Sequence, residues 1–171
     1  HIAEKDATHP IIKIEMGALL RGMVAAQSYS GNLTNEIISK GGIMPSFMPV
    51  YLMTRQMVET FTGTEHIVAD GVVRQPDQAR GFDDMMQFYN RADYQIVFLD
   101  LAPEIIMERL MARGRNDDTE EAIRNRLGWY KTTVEPLIDI LKERGRTVHY
   151  INGEPSVPEV HQAILSALKL A

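Results

Sequence analysis

Four short apolar runs, Ile11–Glu15, His66–Ala69, Gln95–Leu99 and Thr147–Ile151, punctuate a chain whose intervening stretches carry helical periodicity. Runs this short read as strands, and strands separated by helices pair in parallel through crossover connections. The alternation therefore restricts the chain to an α/β fold: a parallel sheet with helices on both faces, in three layers. Helices are read over Gly17–Gln27, over Leu33–Lys40 before Gly41-Gly42, and from Ser46 as N-cap to about Phe61. Another runs from Pro103 to Ala112, and a long one from Thr119 to Glu143 is expected to bend at Pro136. Ser156-Val157-Pro158-Glu159 reads as a capping box opening a last helix, with Val160, Ile164 and Leu168 as its buried stripe. Nothing in the 171 residues looks like a repeat, a linker or a low-complexity tract, so residues 1–171 are expected to form a single domain. The ten methionines read as core filler and pocket lining.

In a parallel sheet, ligands bind beyond the carboxyl ends of the strands. Arginine recurs there. The first run is followed by Met16-Gly17 and, one helical turn on, Arg21; the second by Asp70-Gly71-Val72-Val73-Arg74. Asp100 follows the third, before a helix bearing Arg109 and Arg113, and Asn152-Gly153 follows the fourth. Guanidinium groups are the usual bidentate clamps for phosphate, so this rim points to a polyanionic substrate. Residues 112–127, ARGRNDDTEEAIRNRL, concentrate the same chemistry. Asp118 and Glu121 read locally as a capping box. Ile123, Leu127, Tyr130, Val134, Leu137 and Leu141 mark the buried stripe; Arg126 borders it and needs an anionic partner, while Arg124 points away into solvent. A net charge of −5 gives no reason to expect nucleic acid, and no apolar run approaches the ~20 residues of a membrane span. Without cysteine there is no disulfide framework and no thiolate zinc site, and the five histidines show no ligand spacing. A cytoplasmic monomer is the expectation.

Three segments together carry a resemblance. Residues 14–21, IEMGALLR, resemble the I-S-T-G-D-x-L-R of the adenylate kinase (nucleoside monophosphate kinase) family. Residues 67–79, IVADGVVRQPDQA, resemble its L-x-D-G-F-P-R-x-x-x-Q-A. Residues 109–127 are similar to its R-x-x-x-R followed by R-x-D-D-x-E-E-x-x-x-x-R-L. The resemblance implies a three-layer sandwich of the P-loop-kinase kind and the reaction ATP + AMP ⇌ 2 ADP with Mg2+. Arg21 and Arg74 would hold the phosphate of AMP, while Arg113, Arg115 and Arg126 would surround the transferred phosphoryl group. Met16, Gly17, Gly42, Ile43, Met44 and Gly71 would line the AMP site within and beside a helical segment, 17–61, with Gln78 recognising the base. Arg109, Gly153 and Pro155 would lie along the adenine of ATP, and Asp70 would orient water on Mg2+. Asp117 and Asp118 would position the arginines.

Departures from that pattern are equally specific. Met16 and Ala18 stand where the family has threonine and aspartate, and Val72-Val73 where it has Phe-Pro. The lid is reduced to a short turn at 113–116, leaving no room for the inserted domain, sometimes zinc-bearing, of long-lid members. No G-x-x-x-x-G-K-[ST] loop occurs in the 171 residues, and His1–Lys5 is similar to the last turn of the helix that follows that loop. The expectation is that a strand, loop and helix of about 25 residues precede His1. That first strand, missing here, would lie mid-sheet between the His66 and Gln95 runs, and the 171 residues without it would be inactive. The alternatives are a non-catalytic relative that binds nucleotides or a partner, and a CMP or UMP kinase.

Overall fold

A computed structural model describes residues 8–170, so the resemblance at His1–Lys5 lies outside the described residues. These form two compact units, one through Ala92 and one from Asp93. In the first, β1 (Ile11–Glu15) pairs in parallel with β2 (His66–Asp70), Ile11 opposite His66 and Glu15 opposite Asp70. Alternation along β1 buries Ile12 and Ile14 and leaves Lys13 and Glu15 in water. The chain passes straight into α1 (Met16–Ala25), which buries Met16 and Leu20. α2 (Tyr29–Ile38) begins where Ser28 Oγ accepts the Gly31 amide at 3.1 Å, a cap worth about 1 kcal/mol. Leu52, Met53 and Met57 of α3 (Phe47–Thr60) pack with Ala79, Phe82, Met85 and Met86 of α4 (Pro76–Phe88) to complete this core. Six of the ten methionines, at 16, 44, 53, 57, 85 and 86, are buried, which fits their reading as filler.

Just before β2, the Glu65 carboxylate gathers four donors: the Thr62 amide and hydroxyl at 3.0 and 2.6 Å, and the Gly63 and Thr64 amides at 3.1 and 3.2 Å. The Thr62 hydroxyl above all holds this carboxyl down to about 2.

The second unit repeats the parallel pairing, β3 (Gln95–Asp100) against β4 (Thr147–Asn152). Three of the four strands run one residue past their apolar stretch, because Asp70, Asp100 and Asn152 continue the backbone ladder beyond the last apolar side chain. α5 (Pro103–Arg113) starts on proline at a position where no amide partner is missed. It stops at Gly114, whose left-handed φ of 65° ends a helix without a Cβ penalty. None of its residues is fully buried. α6 (Glu120–Trp129) continues through a π-turn (Tyr130–Val134) into α7 (Glu135–Glu143). The bend expected at Pro136 is thus taken up one turn earlier, where Thr132 Oγ1 donates to the Gly128 and Trp129 carbonyls, each at 3.3 Å. Ile123, Leu137, Ile138 and Leu141 join Ile151 of β4 and Leu165 of α8 (Val157–Ala167) in the core. The capping box expected at the start of α8 is present: the Ser156 amide and hydroxyl donate to Glu159 Oε2 at 2.9 and 2.5 Å. No helix among the described residues is long and apolar enough to cross a membrane.

Candidate functional site

The arginine-rich stretch closes on itself around one carboxylate. Asp118 accepts from Arg113 Nε and Nη2 at 2.8 Å each, a bidentate pair, and from Arg126 Nη1 at 2.9 Å. The Arg115 amide adds a longer bond of 3.3 Å. Its side chain is fully buried, and the Arg113 guanidinium, with Arg126 beyond it, holds its carboxyl down to about 2. Arg126 turns its other nitrogen to both the carboxylate and the carbonyl of Asp117. The anionic partner that Arg126 requires is therefore supplied from within the chain, eight and nine residues upstream.

Asp118 consequently does not cap α6. Thr119 does, accepting the Ala122 amide at 3.2 Å. The reason is charge: a carboxylate between two guanidinium groups gains more than one accepting a single amide. Arg124 faces water as its phase requires, 70% exposed and paired with Glu120 four residues away. Three guanidinium groups and two carboxylates share this turn, and the Arg115 side chain makes no hydrogen bond or ion pair among the described residues. The cluster carries a surplus positive charge.

Arg109, one turn before Arg113 on α5, donates to the carbonyls of Gly153, Glu154 and Pro155 at 2.6, 2.5 and 3.3 Å. It holds the β4–α8 loop, and with the Arg113–Asp118 pair it helps anchor a helix none of whose residues is fully buried. A Cβ at Gly153 would meet Leu101 Cδ1 at 2.4 Å, so a side chain there would force Leu101 to shift. A cleft of about 1010 Å3 opens in the same unit beside Phe98, Asp100, Tyr130, Glu135, Tyr150 and Asn152. None of the expected site residues lines it. Burial raises the Tyr130 phenol there to about 12.

In the first unit the expected residues gather at the ends of β1 and β2. Met16 is buried, so its side chain offers nothing polar. Gly17 leaves room for Arg21, whose Nη1 would lie 3.1 Å from a Cβ at that position. The Arg21 guanidinium is exposed and makes no hydrogen bond or ion pair among the described residues. Gly71, left-handed at φ 62°, lies against Arg74 in the same way, with Nη2 2.9 Å from where a Cβ would stand. The buried Gln78 side chain accepts the Arg74 amide at 2.7 Å, which fixes the backbone bearing that guanidinium. Gly42, Ile43 and Met44 follow the end of α2, Gly42 donating back to the Ile37 carbonyl at 2.9 Å. Asp70 is exposed at the carboxyl end of β2. Among the described residues no three histidine, cysteine or acidic side chains cluster as a metal cage. A lone exposed carboxylate fits a divalent ion held mainly by water and phosphate.

Sequence reasoning missed two things. One is α4, although Pro76, Asp77 and the spacing of Ala79, Phe82, Met85 and Met86 signal it. The other is Gln75, whose amide donates to the Met44 carbonyl at 2.8 Å and accepts from Ser46 Oγ at 3.1 Å. Ser46, expected to cap α3, spends its hydroxyl on that bond instead and makes no cap.

The low carboxyls give a pH signature. Asp118 and Glu65 titrate at about 2 in the fold, against ordinary values of 3.8 and 4.5. Both are depressed, so their stabilisation is complete above the ordinary values and is lost as pH falls towards 2. Urea midpoints should fall steeply over that window and less steeply in Glu65→Gln and Asp118→Asn. Identical slopes would show that neither carboxyl is held low.

The Adenylate kinase family model matches residues 4–146. The adenylate kinase of Prochlorococcus marinus (strain AS9601) is 29% identical over 157 residues, covering 92% of this chain and 84% of its own. Adenylate kinase 1 of Nostoc sp. (strain PCC 7120 / SAG 25.82 / UTEX 2576) is 30% identical over 155 residues, 91% and 83% of the two chains. That of Synechococcus sp. (strain CC9311) is 32% identical over 137 residues, 80% and 74% of them.

Proposed function

Since the chain belongs to the adenylate kinase family, a family of phosphotransferases acting on nucleotides, we propose that the protein catalyses ATP + AMP ⇌ 2 ADP with Mg2+. The observation that carries this reading is the Asp118 cluster: guanidinium groups held in place by a buried carboxylate, with Arg115 left over as uncompensated charge. Phosphoryl transfer asks a protein for little covalent chemistry; it asks for alignment and for positive charge on the moving oxygens. Arg21 and Arg74 hold the AMP phosphate so that one of its oxygens faces the γ-phosphorus in line. That oxygen forms the new P–O bond as the bond to the ADP leaving group breaks. Arg113, Arg115 and Arg126 stabilise the equatorial oxygens through the transfer. When bound, Mg2+ would supply charge neutralisation at the donor phosphates, and Asp70 would orient its water.

The backbone of Gly42, Ile43 and Met44, with Met16, Gly17 and Gly71, encloses AMP in the 17–61 segment, and Gln78 recognises the base. Arg109, Gly153 and Pro155 receive the adenine of ATP. With Met16 buried and apolar, discrimination among acceptor bases falls on Gln78, which favours AMP over CMP or UMP. The 113–116 turn acts as the whole lid, and the protein works as a cytoplasmic monomer.

Assay of the full-length protein with ATP, Mg2+ and AMP should yield two ADP per turnover. ATP consumption no faster with AMP than without it would exclude AMP as the acceptor and leave the CMP or UMP kinase and the nucleotide-binding readings. The same assay tests the short lid. Because the Arg113 side chain is 36% exposed, donor affinity should drop sharply with added salt, and slow ATP hydrolysis should persist without AMP. Donor affinity indifferent to salt, with hydrolysis at background, would mean that another segment shields these arginines.

A further inference from the structure

We propose that Gln75 is a positioning residue that sets the distance between the two loops of the acceptor site, and so tunes affinity for the nucleoside monophosphate. The inference rests on the proposed kinase reading, in which residues 42–44 enclose the acceptor base and Arg74 holds its phosphate. In the family pattern the position after that arginine is left open, so the resemblance assigns Gln75 nothing.

The geometry is specific. Met44 O can only accept, so the Gln75 amide nitrogen must face it, at 2.8 Å; the amide oxygen is then left to take the Ser46 hydroxyl, at 3.1 Å. One side chain thereby ties a loop residue 31 positions away and a helix-start residue 29 positions away. Its own base is rigid. Gln75 is extended, at φ −142° and ψ 154°, as a residue preceding proline must be. The amide just before it, that of Arg74, is pinned by Gln78. Ser46 is itself helical, at φ −55° and ψ −33°, so it is not placed to cap, and its hydroxyl serves this bond. Movement of the 42–46 backbone away from Arg74 must break both bonds.

The decisive variant is Gln75→Glu in the full-length protein. It keeps shape and length, still accepts from Ser46, and loses the donor to Met44 O. AMP affinity by calorimetry should weaken about tenfold, the scale of a part-buried carbonyl losing its partner. KM for ATP should stay within about twofold, and kcat should change less than KM for AMP. As pH falls towards 4.5 the new carboxyl regains a proton and can donate again, so its AMP affinity should recover relative to wild type at the same pH; Gln75→Ala should show no recovery. Ser46→Ala, cutting the other half of the tie, should weaken AMP in the same direction and combine less than additively with Gln75→Ala. Wild-type AMP affinity in Gln75→Glu, or a parallel loss for ATP, overturns the proposal. Wild-type protein that binds no AMP overturns both it and the kinase reading.

Discussion

Asp118→Ala will destabilise the full-length protein by about 2–4 kcal/mol in urea unfolding, towards the lower end of what breaking a buried ion pair costs because Arg113 keeps some contact with water. The substitution removes the acceptor of four hydrogen bonds and strands two guanidinium groups, that of Arg126 only 20% exposed. Water replaces the lost partner for Arg113 more readily than for Arg126, so the residual strain falls on α6. Asp118→Asn keeps the volume and one acceptor oxygen and should lie between wild type and alanine. The internal control is Glu120→Ala, which breaks the Arg124 pair at the surface, where both side chains are more than half exposed. It should change stability by no more than about 0.5 kcal/mol. Equal effects of the two alanine substitutions would mean that burial of Asp118 contributes nothing beyond a surface pair.

The other large effect is on turnover. Arg74→Ala should lower kcat by about 100-fold or more, as removal of a group that stabilises transition-state charge does. The tie from Gln78 survives the substitution, since it grips the backbone at Arg74 and not its guanidinium. Arg124→Ala, by contrast, should leave kcat within about twofold, because that side chain faces solvent with Glu120. Steady-state assays of both variants decide the matter; comparable losses would mean that the phase of α6 does not sort functional arginines from surface ones.

Strand positions were legible because four apolar runs bounded by polar residues leave little choice, and each strand starts where its run starts. Their ends were not, since a backbone ladder does not stop when the side chains turn polar. Helical phase correctly separated Arg124 from Arg126 and showed that Arg126 needs an anion. What phase cannot show is where that anion comes from. Asp118 has the local signature of a cap; the family resemblance gave it the arginines as partners, and in the folded chain Arg113 and Arg126 converge on it. Ser46 fails as a cap because its own backbone is already helical, and its hydroxyl goes to Gln75, 29 residues away. Local rules describe what a polar side chain can do for its own helix, and in both cases the side chain is used by a partner elsewhere in the chain.

The two left-handed glycines of the site, Gly71 and Gly114, would drift differently under selection. A Cβ at Gly114 meets nothing within 4 Å, so the cost of alanine there is the conformational strain alone, about 1–2 kcal/mol. At Gly71 the strain is similar, but the new Cβ also pushes aside Arg74 Nη2, the mobile tip of a long side chain. Displacing that tip is cheap for folding and expensive for phosphate binding. A population screened only for soluble, folded protein would therefore tolerate alanine at the two positions alike, whereas one screened for nucleotide turnover would purge it at Gly71 first.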